Sequence, residues 1–349
     1  MNLWQIIPED CRTLSVVGMA KNTGKTVTLN RLITEGVNAR IPLGLTSIGR
    51  DGEKEDVVTG TEKPGISVIP GTLLATTDLC LQRSTARTEI LHTTQELTPM
   101  GQVVLARVRQ SGEIELAGPN TNQGIQRVCQ LMQEMGAGRI LVDGAINRIS
   151  SASPAVTDGC ILATGAALGR NMQQVVRATV YQVSLLKIPS WKGSAGLVED
   201  DMDKILPTGC AAGIMDDENR LRFLPISTVL TGGKEIARNL KEHDTTVFIR
   251  GGLTNATVRD FLNSRDGVQH ITLVVENATK IFMEERDWRI AGKRGLQVKV
   301  LQAVRLIMVT INPWSPGGWE FDASMFQKTV SEGIYPIPAI NILGRGEEK

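Results

Sequence analysis

The sequence has few residues of the kinds that build disulfide frameworks, metal clusters or hydrolytic triads. It holds five cysteines that are widely separated and form no Cys-x-x-Cys pair: Cys11, Cys80, Cys129, Cys160 and Cys210. We therefore expect neither a disulfide framework nor a structural zinc site, and we interpret these cysteines as small buried hydrophobic residues. The three histidines, His92, His243 and His270, do not stand at metal-ligand spacing, which argues against a histidine-built metal site and a Ser-His-Asp triad.

The sequence also lacks an excess of one charge and a long apolar run. Lysine and arginine number 38 against 37 aspartates and glutamates, so there is no broad field to attract nucleic acid or an anionic membrane. No apolar stretch reaches the roughly 18 residues of a membrane span, and the first residues do not read as a secretory signal. We expect no nucleic-acid partner, no membrane partner and a cytoplasmic location.

What the sequence does contain is an alternation of strands and helices, typical of an α/β fold with a mostly parallel sheet. Residues 13–17 and 41–49 read as strands, and an amphipathic helix follows Gly24. A second helix is expected over 120–138, capped by Asn120 or Thr121 and ended by Gly136. The stretches "RILVDGA" and "GCILATGA" continue the pattern as strands.

The alternation breaks between residues 65 and 118, which are rich in strand-forming residues. Ser111-Gly112 lies there between two alternating runs, where a hairpin turn would lie. We expect a P-loop nucleoside triphosphatase domain over 1–64 and 119–190 and a β-rich insertion over 65–118. A second, smaller α/β domain is expected over 191–343, followed by a tail over 344–349.

The segment "VVGMAKNTGKTVTLN" carries the chemistry. A strand runs into Gly18, five residues pass, and Gly24, Lys25 and Thr26 open a helix. The usual phosphate-binding loop has four residues at this spacing, so the match is to a variant. Backbone amides would surround phosphate oxygens, the Lys25 ammonium would reach the β- and γ-phosphates, and the Thr26 hydroxyl would ligate magnesium. The candidate nucleotide-binding residues are Gly18, Asn22, Thr23, Gly24, Lys25, Thr26 and Val27.

Lys25 is also a candidate for catalysis, together with three further residues. Asp143 ends the predicted strand "RILVD", where open α/β sheets place their ligands, and is the leading carboxylate for magnesium. Asp51 follows the second strand and would orient magnesium or water, although "RDGE" is also ordinary turn sequence. Lys21 could place positive charge over the γ-phosphate, or be a solvated surface lysine.

The spacing of the loop, with Gly-Lys-Thr-Val after it, resembles the dethiobiotin synthetase and cobyrinic acid amidating branch of the P-loop proteins over about residues 12–180. A narrower resemblance, which runs along the whole chain, is to the ATPase subunit of lysine 5,6-aminomutase reactivase and its relative in ornithine degradation. The stretches that carry it are "GMAKNTGKTVTLN", "LTSIGRDGEKEDVVTGTEKPGISVIPGT", "ILVDGAINR" and "ILATGAALGRNM".

This resemblance implies an ATPase that uses ATP and Mg²⁺ and acts with a second subunit similar to MutS. The pair would release damaged cobalamin from an adenosylcobalamin-dependent aminomutase so that intact cofactor can bind. ATP hydrolysis would reorder residues 50–65 around Asp51. A homodimer is also compatible with the sequence.

Three other functions stay open at this point. The first is a stand-alone ligase of the dethiobiotin synthetase type, which activates a small carboxylate or carbamate with ATP. A GTPase metallochaperone is a weaker alternative, because the sequence has no Asn-Lys-x-Asp motif and no Cys/His cluster. A module that binds nucleotide without hydrolysing it is the third.

Overall fold

The computed structural model describes residues 2–49, 65–144, 152–193 and 201–343. Asp51, most of the proposed 50–65 segment and the 344–349 tail lie outside the described residues.

The strands in chain order are β1 (Thr13–Gly18), β2 (Leu43–Ser47), β3 (Ile66–Val68), β4 (Leu73–Thr77), β5 (Arg87–Thr98), β6 (Gly101–Gln110), β7 (Gly112–Ile114), β8 (Arg139–Asp143), β9 (Gly159–Gly165), β10 (Ala212–Asp216), β11 (Leu221–Leu224), β12 (Asp244–Ile249), β13 (Leu253–Thr254), β14 (Thr272–Asn277), β15 (Ile281–Phe282), β16 (Gln297–Gln302), β17 (Leu306–Asn312), β18 (Trp314–Ser315), β19 (Trp319–Glu320) and β20 (Ala339–Asn341).

The helices confirm the predicted alternation. Thr121 caps the helix expected over 120–138 by accepting a hydrogen bond from the Gly124 amide, and Gly136 follows it in the left-handed region, with φ of 99°. Within the described residues the α-helices are α1 (Lys25–Asn38), α2 (Asp78–Arg83), α3 (Asn122–Glu134), α4 (Met172–Leu186), α5 (Met202–Ile205), α6 (Gly233–Asn239), α7 (Asn255–Ser264), α8 (Glu285–Lys293) and α9 (Ala323–Ile334).

The chain divides into two compact units, 1–180 with 305–349 and 181–304. The first unit contains a nine-stranded sheet in the order β20-β17-β9-β1-β8-β2-β4-β6-β5. The seven strands from β20 to β4 are parallel, and β6 and β5 extend the sheet as antiparallel strands. The expected α/β class with a mostly parallel sheet is therefore confirmed.

Helices cover both faces of this sheet. Alternate residues of β8 point to opposite sides: Leu141 lies in the core that includes Leu29 and Leu32 of α1. Ile140 and Val142 lie in the other core, with Ile125, Val128 and Met132 of α3. Since a strand covered on both faces has no solvent side, its sequence is apolar without alternation, as "ILV" of β8 is.

The second unit is built on a five-stranded sheet in the order β11-β10-β12-β14-β16. Its strands β12, β14 and β16 run parallel, whereas β10 is antiparallel to both of its neighbours. This is a mixed sheet, smaller than that of the first unit.

The observed division differs from the sequence-based one at the C-terminal side. The boundary falls within α4 and not at 190/191, and residues 305–343 belong to the first unit, where β17 pairs with β9 and β20 with β17. Only three residues separate β16 from β17, so the sequence reads as one continuous domain. Pairing partners distant in sequence decide which sheet a strand joins, and local periodicity does not encode them.

The 65–118 segment does not form the separate β-rich insertion that the sequence led us to expect. Its strand β4 pairs with β2, and β6 pairs with β4, so both belong to the main sheet. The hairpin turn lies between β5 and β6, at residues 99–100, and not at Ser111-Gly112. Gly112 begins β7, which pairs with β3 in a small sheet of its own.

All five cysteines are buried with free thiols, which confirms their interpretation as small core residues. Burial raises the pKa of the Cys129 and Cys160 thiols to about 12 and that of Cys11 to about 11. In the part of the chain that the structure describes, none of the helices has the length and hydropathy needed to cross a bilayer.

Candidate functional site

The loop between β1 and α1 is tightly folded on itself. Thr23 is buried, and its hydroxyl donates a hydrogen bond to the Ala20 carbonyl oxygen over 3.0 Å. Asn22 adopts φ of 62° and Gly24 φ of 95°, so two residues of this loop take the left-handed conformation. At Gly18, an added Cβ would come within 3.0 Å of the Thr23 hydroxyl and 3.2 Å of the Ala20 carbonyl. The loop therefore returns over the end of β1, and Gly18 leaves room for it.

Gly24 is required by its surroundings as well as by its backbone angle. A Cβ on Gly24 would lie 2.5 Å from Cδ1 of Ile342 and 2.9 Å from Cβ of Asn312. Asn312 ends β17 and Ile342 follows β20, so the start of α1 packs against the ends of two strands that come about 300 residues later in the chain. A side chain at position 24 would push α1 away from the sheet.

The N-terminus of α1 has amide groups without a side-chain cap. Its first helical hydrogen bond runs from the Thr28 amide to the Gly24 carbonyl oxygen, so the amides before Thr28 have no acceptor within the helix. Among the described residues no side chain caps Gly24, and no acidic residue lies in the first turn. By contrast, α2, α3, α7 and α9 are each capped by a threonine or aspartate side chain. The start of α1 is therefore positively polarised and has amides available for an anion.

Lys25 and Asp143 meet at this point. The Lys25 ammonium nitrogen lies 2.9 Å from Oδ1 of Asp143, and it donates a hydrogen bond to the Gly144 carbonyl oxygen. Both side chains are mostly enclosed, with 14% of Lys25 and 22% of Asp143 exposed. The approach to Oδ1 is close without the alignment of a hydrogen bond, so this buried oxygen accepts no hydrogen bond from any described residue.

Sheet register explains why Asp143 is here. In the parallel ladder Val16 of β1 pairs with Asp143 of β8, and Asp143 pairs with Ser47 of β2. The Gly144 amide donates to the Val16 carbonyl oxygen over 3.0 Å, and the Ile48 amide donates to that of Asp143 over 3.1 Å. The carboxyl ends of these parallel strands thus meet at one edge of the sheet, beside the β1–α1 loop.

The structure brings together most of the predicted site. Gly18, Asn22, Thr23, Gly24, Lys25, Thr26 and Val27 form one continuous loop and first helical turn, with Asp143 beside it. Lys21 lies in the same loop and is half-buried, and Thr26 and Val27 are half-buried in the first turn. Asp51 lies outside the described residues, although β2, which precedes it in the chain, ends next to Asp143.

Sequence reasoning missed Asn312 and Ile342, which pack on Gly24. For Asn312 the stretch "VTINP" indicated a strand end, because a polar residue followed by proline ends an apolar run there. No group of three or more His, Cys, Asp or Glu side chains suited to a metal is found in the residues the structure describes. Magnesium bound with a nucleotide needs only one or two carboxylates, because phosphate oxygens and water supply the remaining ligands.

Comparisons with protein-family models, with curated proteins and with solved structures found no match for this chain.

Proposed function

We propose that this chain is an ATPase that binds magnesium-ATP at the β1–α1 loop. The observation that carries the proposal is the pairing of Lys25 with Asp143 at an uncapped helix N-terminus. Each component has a separate use: amides and an ammonium group for phosphate, and a carboxylate for the divalent ion. These groups converge at the carboxyl edge of a parallel sheet. That position favours a nucleotide site over an ordinary surface turn.

The phosphate part of the proposal uses the loop backbone and Lys25. Amides at the start of α1 would take the phosphate oxygens, where the helix dipole favours negative charge. The Lys25 ammonium would leave Asp143 and Gly144 for the β- and γ-phosphates. That exchange is inexpensive, because Lys25 gives up one carboxylate contact and one carbonyl hydrogen bond and gains contacts with a more highly charged group.

The magnesium part uses Asp143 and Thr26. The residues fit the ion, since Oδ1 of Asp143 is a buried carboxylate oxygen without a hydrogen-bond donor and Thr26 lies in the first turn of α1. Asp51 remains a candidate for the same role. Magnesium would supply positive charge that offsets the charge of the phosphates and the charge that develops during transfer.

The biological role is proposed from the sequence resemblance. We propose that ATP turnover drives a reactivase, in which this chain and a MutS-like subunit release damaged cobalamin from an adenosylcobalamin-dependent aminomutase. Such a role requires a segment that differs between nucleotide states, for which residues 50–65 are our candidate.

The first experiment measures magnesium-dependent binding and hydrolysis of ATP, with and without the MutS-like subunit. Lys25→Ala and Asp143→Ala should each lower turnover by about a hundredfold, the usual effect of removing one transition-state contact. Exposed residues of the same types in the second unit supply the controls, Lys293→Ala and Asp266→Ala. Turnover near the parent value in Lys25→Ala and Asp143→Ala would refute these roles.

A second experiment tests the partners. A pull-down in the presence of ATP should recover a MutS-like subunit and a cobalamin enzyme. Turnover that a small carboxylate triggers without any partner protein would instead support the ligase function. Absence of magnesium-dependent binding to any nucleoside triphosphate would refute both functions.

A further inference from the structure

The strands β17 and β20 end in the same local structure. After β17, Oδ1 of Asn312 accepts a hydrogen bond from the Trp314 amide over 3.1 Å. After β20, Oδ1 of Asn341 accepts one from the Leu343 amide over 3.0 Å. Each asparagine thus fixes the backbone of the residue two positions later, which restricts the direction in which the Trp314 and Leu343 side chains leave the chain.

Both of these residues are large, apolar and exposed. Trp314 is 50% exposed and Leu343 is 49% exposed. Their strands are parallel neighbours in the sheet, with Ile311 paired with Asn341, so the two residues follow adjacent strand ends. Large exposed apolar side chains that follow neighbouring strand ends are candidates for a binding surface, whereas isolated ones need no such explanation.

The ends of β17 and β20 pack against the β1–α1 loop. Asn312, which holds Trp314, and Ile342, which precedes Leu343, are the two residues that crowd Gly24. On the opposite side of β1 the neighbouring strand β8 ends in the carboxylate of Asp143. The strand ends on the two sides of β1 therefore differ: β8 ends in a carboxylate, whereas β17 and β20 are followed by exposed apolar side chains.

The segment that carries Trp314 is anchored on its far side. The Trp319 indole donates to the carbonyl oxygens of Ala166 and Gly169, over 3.0 and 3.3 Å. The guanidinium of Arg170 lies over the Trp319 ring, 4.9 Å from its centroid. Because β18 pairs with β19, these contacts also restrain Trp314. The backbone that carries its exposed side chain is thus restrained without a ligand, which lowers the entropic cost of binding.

We propose that Trp314 and Leu343 form the surface that receives the base of the bound nucleoside triphosphate; this rests on the proposed function. With the phosphates on the loop, the nucleoside must extend to one side of it. The β17–β20 side offers an aromatic ring and an aliphatic side chain, on which a planar base can stack and lose water. The Asp143 side offers a carboxylate, which suits the magnesium-bound phosphates instead.

The test compares a ligand that has a base with one that has none. Binding of ATP and of inorganic tripolyphosphate, both with magnesium, is measured by calorimetry on the full chain. Trp314→Ala should weaken ATP binding about tenfold, the effect of losing one stacked base, and leave tripolyphosphate binding unchanged. Trp314→Phe keeps an aromatic ring, so its affinity for ATP should stay close to that of the parent. Leu97→Ala, at an exposed apolar residue of the edge strand β5, is the matched control.

The outcomes separate this inference from the proposed function. If the parent binds tripolyphosphate and ATP but Trp314→Ala changes neither or both equally, the base surface is wrong and the phosphate site stands. If the parent binds neither ligand, the proposed function fails and the inference fails with it. Circular dichroism of Trp314→Ala at the parent level would show that a loss of binding is not a loss of folding.

Discussion

The Lys25 ammonium nitrogen lies 2.9 Å from Oδ1 of Asp143, although the two residues are 118 positions apart in the sequence. A lysine at the start of a helix and an aspartate at the end of a strand are each ordinary. Their pairing is informative because both side chains are mostly enclosed, so that each loses hydration that only a partner or a ligand replaces.

The pair should show energetic coupling when no nucleotide is bound. We expect Lys25→Met and Asp143→Asn to be non-additive in the free energy of unfolding by about 1 kcal/mol, because each single variant leaves the other group without its partner. A double-mutant cycle in urea, with magnesium and nucleotide absent, measures the coupling. Additive single effects would mean that the pair is a contact without energetic weight.

Gly24→Ala should destabilise the first unit more than an ordinary left-handed glycine does. The matched control is Gly136→Ala, since Gly136 has nearly the same φ, 99° against 95°, but nothing within 4 Å of an added Cβ. Gly136→Ala should cost about 1 kcal/mol from backbone conformation alone.

At Gly24 the same substitution also forces a Cβ against Asn312 and Ile342. We expect a total cost of about 2 to 4 kcal/mol, as backbone strain and overpacking add. The shift in the urea midpoint of each variant measures both costs. Equal shifts would show that the ends of β17 and β20 yield easily, which would also weaken the argument for a preformed site.

The second unit should lose stability in acid through Asp244. This carboxylate is buried, with 1% of the side chain exposed, and the Arg222 guanidinium donates to both of its oxygens. Burial alone would raise its pKa, but hydrogen bonds from Arg222 and the Lys241 amide outweigh burial and lower the pKa below its usual value.

The direction of the pH effect follows from that lowered pKa. Above the unfolded-state pKa of about 3.9 the carboxylate is ionised in both states, and the pair contributes fully. As pH falls further, the unfolded chain takes up the proton first, so the contribution is lost as pH falls through the folded-state pKa. Asp244→Asn should therefore cost about 2 kcal/mol at pH 7 and flatten the acid dependence below pH 4. Urea unfolding from pH 3 to 7 measures this, and an unchanged acid slope in the variant would contradict it.

The thiols should be unreactive until the chain opens. All five cysteines are buried, and the pKa of Cys129 and of Cys160 is raised to about 12, so at pH 8 these two are neutral thiols, which are poor nucleophiles. We expect slow labelling by iodoacetamide in buffer and rapid labelling in urea, with mass spectrometry to locate the sites. Rapid labelling of Cys129 or Cys160 in buffer would indicate local opening of the core.

The sequence predicted the parts of the site that are local and missed those that the fold assembles. Lys25 and Asp143 each stand at a recognisable junction, after a glycine-bearing turn and at the end of an apolar strand, so their meeting follows from the parallel order of β1 and β8. Asn312 and Ile342 could not be placed in this way. They reach Gly24 only because β17 and β20 join the first sheet, whereas their position in the chain suggested the second domain.

The same reason explains the boundary of the second unit. The strand β17 is buried along its whole length, as a central strand of a parallel sheet must be, but an apolar run of that kind fits either sheet. What decides is its pairing with β9, including Asn312 with Gly165, where a Cβ on Gly165 would lie 2.5 Å from the Asn312 carbonyl oxygen. Complementarity of this kind depends on backbone contacts between distant segments, which no local window of sequence contains.

The roles of Asp143 and Lys25 should also be distinguishable by how ATP binding depends on magnesium. If Asp143 binds the ion and Lys25 binds phosphate, Asp143→Asn should raise the magnesium concentration that half-saturates ATP binding about tenfold and leave metal-free binding close to the parent. Lys25→Ala should weaken ATP binding by a similar factor whether or not magnesium is present, because it removes a direct contact with phosphate. Calorimetry with ATP over a magnesium series measures both, with Asp266→Asn as the control at an exposed aspartate. If Asp143→Asn weakens metal-free binding as much as Lys25→Ala does, then the carboxylate serves to position the lysine, and the magnesium ligands of this site must be sought elsewhere, with Asp51 the first residue to test.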